Sequence, residues 1–146
     1  MQASAKLFLA KGFAGVSMRE IAAAAHTGVG NIYNYFRSKD HLFCSLVAPA
    51  VRDLETMLEE HHGSCGRDIM DMCDKKYLDC MVSQYTELIG NHSHRLALLL
   101  LKSQGSSLAT FRDRFTDRAT SLVKAYFADM KNRHPGRSEE RRVGKE

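Results

Sequence analysis

Apolar side chains recur every three or four residues along most of this chain, the spacing of helices with one buried face. Leu7, Phe8 and Ala10 mark a short Ala-rich helix over 3–11, with Gly12 as its left-handed stop. Ser17-Met18-Arg19-Glu20 reads as a capping box, in which the serine hydroxyl and the glutamate carboxylate each satisfy an orphan amide. A second helix therefore begins at 17, runs through Ile21 and the small residues Ala22 to Ala25, and breaks at His26-Thr27-Gly28. In a third helix, over 28–36, Ile32 and Phe36 face inward, leaving Val29, Asn31, Tyr33 and Asn34 on the other sides.

Ser38 is the expected N-cap of a fourth helix, whose stripe of Leu42, Phe43, Leu46, Val47, Ala50, Leu54 and Leu58 reaches about His61. Pro49 lies within it and is expected to kink it or end its first segment. After a loop at Gly63-Ser64-Cys65-Gly66, Met70, Cys73, Tyr77, Cys80, Met81 and Leu88 predict a helix from Arg67 to about Ile89, ended by Gly90-Asn91. Leu96 to Leu101 predicts a short helix buried on every side, broken by Ser103-Gln104-Gly105-Ser106-Ser107. The last helix carries Leu108, Phe111, Phe115, Ala119, Leu122, Tyr126 and Met130 on one stripe and stops at Pro135-Gly136. Beyond Pro135, Val143 is the one large apolar side chain, so 135–146 is expected to be a disordered tail.

Composition narrows the class. At 146 residues, the chain fits one core, and 44% hydrophobic with 26% charged residues is a folding balance. Two Pro, ten Gly and few β-branched residues favour an all-α fold. No apolar run approaches the roughly 20 residues of a spanning helix. Met1-Gln2-Ala3-Ser4 shows no basic segment leading into an apolar one, so no secretory signal is expected, and a cytoplasmic address with four reduced cysteines follows.

Charge is unevenly spread. Within 1–45, Lys6, Lys11, Arg19, Arg37 and Lys39 stand against Glu20 and Asp40, a net of +3, whereas 46–134 holds 12 charges of each sign. One basic end on a neutral body suits contact with phosphate. Two short helices joined by a tight turn, the second opening on small and polar residues, match a helix-turn-helix whose second helix enters the major groove. That groove is about 12 Å wide, so Gly28, Val29, Gly30 and Asn31 are small enough to reach base edges.

Leu7-Phe8, Lys11-Gly12-Phe13, Ser17 to Ala22, Ala25, Gly28 to Phe36 and Ser38-Lys39-Asp40 with Leu42 together make the chain resemble the tetracycline-repressor (TetR) family of bacterial regulators, over roughly 5–43. The resemblance implies a DNA-binding unit at 1–45 and a helical effector-binding and dimerisation body at 46–134. It implies a homodimeric repressor that leaves its double-stranded operator when a small apolar molecule enters the body. It also assigns DNA contacts. Arg19 would aim at a base edge or phosphate, with Ser17 and Gly28 beside it; Val29, Asn31, Tyr33 and Asn34 would face the groove; Thr27, Tyr35 and Lys39 would hold phosphates. Three departures stand out: His26 where a turn Gly is usual, a first helix begun partway, and C-terminal helices expected to be truncated near Pro135.

In that architecture Met70, Tyr77, Met81, Tyr85, Phe111 and Phe115 would line the effector pocket, although such a stripe equally suits a core. The alternative from another class is a thiol- or metal-sensing regulator using Cys65, Cys73 and Cys80 with nearby His61, His62, His92 and His94. Their spacing forms no recognised metal site, so no cofactor is called for. No nucleophile elbow, phosphate loop, HExxH or paired-carboxylate motif suggests an enzyme.

Overall fold

A computed structural model describes residues 1–62 and 73–133. The helices are α1 (Gln2–Lys11), α2 (Met18–Ala24), α3 (Val29–Tyr33), α4 (Lys39–His62), α5 (Lys75–Leu101) and α6 (Phe111–Arg133), with no strand among the described residues. The loop at 63–66 with Cys65, the helix start at 67–72 with Met70, the Pro135-Gly136 stop and the tail lie outside the described residues.

The sequence signals for the first three helices act as expected. Gly12 ends α1 with φ +73°, a conformation cheap only for glycine, and its N–H donates to the Phe8 carbonyl at 2.8 Å. Ser17 caps α2 in a full capping box with Glu20. His26 takes the left-handed position of the turn, at φ 51°. The third helix is shorter than predicted. It ends at Tyr33, because Phe36 turns onto His41 at 5.7 Å between ring centres and the Arg37 N–H donates to His41 Nδ1 at 3.3 Å. Ser38 then accepts from the His41 N–H at 3.0 Å and opens α4.

One core joins the two ends of the chain. Phe43 of α4 meets Phe8 and Phe13 edge-on, both with centroids 5.2 Å away, and Leu98, Leu99 and Phe111 enter the same cluster from the body. Backbone and side-chain bonds reinforce this junction. The Phe13 N–H donates to the Lys102 carbonyl at 2.9 Å, and Asp40 accepts from both the N–H and the hydroxyl of Ser107 at 2.8 Å. The Ser107 amide, foremost among these donors, holds the Asp40 carboxyl below the usual carboxylate range, while burial pushes the neighbouring Cys44 thiol up. The predicted boundary at 45/46 falls inside α4.

Several expectations are corrected. Pro49 neither ends nor divides α4, which is one helix of 24 residues. A proline inside a helix costs about 3 kcal/mol, but Leu46, Val47 and Ala50 around the ring are all buried, and each large aliphatic side chain returns about 1.5–3 kcal/mol. The break expected at Gly90-Asn91 is present, by contrast: α5 is two helical segments that meet at a kink at His92 (φ −124°, ψ 16°), one residue on, with buried Leu88 on one side of it and Leu98 and Leu99 on the other. The 96–101 segment is not buried all round: Leu101 is 76% exposed. Leu108 precedes α6, which starts at Phe111.

Candidate nucleic-acid interface

The α2–turn–α3 pair is held to the core from beneath. Ile21, Ala22 and Ile32 are buried, Val29 and Phe36 pack partly against the cluster, and the Thr27 N–H donates to the Ala22 carbonyl at 3.0 Å. Everything on the opposite face is open. Gly28, Gly30, Asn31, Tyr33, Asn34 and Tyr35 are exposed, Tyr35 by 72%. A methyl group added at Gly28 or Gly30 would meet nothing within 4 Å, so nothing in the folded chain itself demands glycine there.

Five of the residues singled out by the sequence come together around one open cleft of about 790 Å³ between residues 14–20 and α3: Ser17, Arg19, Val29, Tyr33 and Lys39. Arg19 makes no ion pair among the described residues, because Glu20, the acid beside it, is taken by Lys11 at 2.7 Å. Ser17 is engaged within the fold, its hydroxyl 2.8 Å from Glu20 Oε2. Val29 contributes only a half-covered side chain. Thr27 and Asn31 form a pair on the adjoining face, where the Asn31 amide donates to the Thr27 hydroxyl at 3.0 Å and keeps its Oδ1 and second N–H for another partner. Asn34 and Tyr35 lie past the end of α3, outside the cleft.

Lys39 has an arrangement that sequence reasoning did not foresee. Its ammonium donates to the carbonyls of Phe13 at 2.9 Å and Val16 at 2.8 Å and lies 4.3 Å above the Phe13 ring. Those acceptors are backbone atoms 23 and 26 residues away, and no side-chain pattern announces them. Sequence reasoning missed the Lys11–Glu20 pair as well, although a lysine at the end of one helix and an acid at the third position of the next is an available signal.

Glu20 is held down to about 2 from its ordinary 4.5, first by the Lys11 ammonium and then by the Ser17 amide and hydroxyl. A carboxylate with a depressed folded pKa contributes stability that is present above its unfolded value and lost as pH falls toward the folded one. Wild type is therefore expected to exceed Glu20→Gln in stability at pH 7, with the gap closing between pH 4.5 and about 2. Urea unfolding across that range measures it, and a gap independent of pH would show that the charge does not hold the cap.

In the body, Tyr77 and Tyr85 both gather on buried His61, the Tyr77 hydroxyl 3.1 Å from Nδ1 and the Tyr85 ring stacked at 5.9 Å. Phe111 belongs to the core cluster, with Phe115 stacked on it at 5.7 Å between ring centres. Met81 is half-buried. Cys73 and Cys80 are exposed, and no group of three or more His, Cys, Asp or Glu among the described residues is placed to hold a metal ion. No helix among the described residues is long and apolar enough to cross a membrane.

Residues 1–46 match the family model of bacterial regulatory proteins of the tetR family. That match spans about a third of the chain, from α1 to the first residues of α4. The TetR-type architecture extends into the body: the fold is similar to that of a TetR family transcriptional regulator, PfmR, from Thermus thermophilus. That likeness has a TM-score of 0.58 at 18% identity, covering 90% of this chain and 70% of that one. No curated protein matches the sequence.

Proposed function

We propose that this TetR-type chain is a homodimeric repressor whose α3 enters the major groove and which a small ligand in the helical body releases from its operator. The observation that carries the reading is the open face of α3. Its inner side is pinned by Ile32, while Tyr33 stands exposed in one cleft with Arg19, which has no ion pair among the described residues, and Asn31 is exposed on the adjoining face. Asparagine can bond adenine through both amide atoms and arginine can bond guanine, so the groove is read by Asn31 and Arg19, with Val29 limited to a thymine methyl. Exposed Tyr35 and half-covered Thr27 suit phosphate oxygens. In the body, the Nε2 of His61 is buried without a partner among the described residues, which supports a ligand near Tyr77 and Tyr85.

Selection of bound sequences from random duplex DNA tests this directly. Enrichment of an inverted repeat supports the dimeric operator reading; recovery of unselected DNA sinks it. With the operator in hand, Asn31→Ala is expected to lose about 1–3 kcal/mol of discrimination at one base position in each half-site. Full discrimination retained by that variant would remove Asn31 from the reading set.

A further inference from the structure

The bend of α5 opens a second cavity, of about 570 Å³, walled by α1, α4 and residues 90–95 and lying away from His61 and its tyrosines. That volume is within the range of small-molecule sites. Its floor is apolar, with Ala5, Leu46, Pro49 and Leu98, and one wall carries His92, His94 and Arg95 without any acid in the lining. The acid nearest to hand is already committed. His92 Nε2 lies 2.7 Å from Asp53 Oδ2, and because Arg95 Nη1 donates to His92 Nδ1 at 3.4 Å, Nε2 bears the hydrogen and donates to Asp53.

Arg95 is left with most of its guanidinium donors and no ion pair among the described residues. An exposed arginine at the mouth of an apolar hollow selects a ligand with a carboxylate at one end and a hydrocarbon body at the other, since the guanidinium fork matches a carboxylate. The position also has a consequence. A molecule held here touches α1 of the DNA-binding unit and the bend of the body at once. We infer that this cavity is a site for a small amphipathic monocarboxylate, with Arg95 as its anion anchor and Leu46 and Leu98 against its hydrocarbon; any effect on DNA affinity rests on the proposed function.

Titration calorimetry of the whole chain with octanoate, and with octanamide as its uncharged counterpart, tests the inference. Octanoate is expected to bind one to one and octanamide at least tenfold more weakly. Arg95→Gln, an exposed change that leaves the core intact, is expected to bring octanoate down to the octanamide level, and Ala5→Leu, which fills the floor, to weaken both. No octanoate binding at millimolar concentration, equal binding of the two compounds, or no effect of Arg95→Gln would overturn the site. Anisotropy with a labelled random duplex, run in parallel, tests the DNA reading separately: a chain that binds octanoate through Arg95 but no duplex supports the site and overturns the regulator.

Discussion

Lys39→Ala is expected to lower the unfolding free energy by about 2–4 kcal/mol, as two charge-assisted hydrogen bonds worth about 1.5–3 kcal/mol each are lost in a partly covered place. The ammonium closes the segment between α1 and α2 by bonding the carbonyls of Phe13 and Val16. Removing it takes that donor from the Val16 carbonyl, leaves the Phe13 carbonyl only the long bond from the Val16 N–H at 3.5 Å, and strips a cation from the Phe13 face. Because that segment leads into Ser17 and Arg19, DNA affinity is expected to fall on every sequence. The slope of log affinity against log salt separates two roles for the lysine. A direct phosphate contact would take about one unit off the slope, whereas a lysine acting through the loop leaves the slope close to that of wild type, and this second outcome is the expected one. Lys39→Met, which keeps the stem over Phe13, should recover part of the stability and none of the two bonds. Urea melts of the three proteins decide it: an alanine variant as stable as wild type would show that the carbonyls are satisfied without the lysine.

Lys39 also marks where sequence reading stops. The capping box at Ser17 and Glu20, the stop at Gly12 and the inward-facing pair of buried Ile32 and partly buried Phe36 are legible because each depends on residues within four positions of one another. The exposed face of α3 is legible for the same reason. The charge of Lys39 is visible in the sequence and suggests a phosphate ligand, whereas the carbonyls it meets are common to all residues. Pro49 looks like a break, yet local propensity of a few kcal/mol loses to burial once α4 packs, whereas the break read at Gly90-Asn91 is met by the kink at His92. The stripe of Phe111 and Phe115 cannot distinguish a pocket wall from a core, since both demand the same residue types at the same spacing.

The largest stability effect is expected at Phe43. Its side chain is fully buried, and it touches Phe8 and Phe13 of the N-terminal unit in a cluster that includes Leu98, Leu99 and Phe111 of the body. Phe43→Ala should cost about 3–5 kcal/mol, the sum of the lost transfer energy and an unfilled cavity, a large share of the roughly 5–15 kcal/mol that typically holds a domain together. Because one cluster serves both parts of the chain, the loss cannot be confined to the DNA-binding end. In urea, helical circular dichroism and retention of labelled operator should fail at the same concentration in wild type, and both midpoints should move down together in Phe43→Ala. Phe43→Leu, which keeps most of the volume, should recover more than half of the loss. If operator retention fell well before the helical signal, the N-terminal unit would be opening alone, and the shared core would not be what couples it to the body.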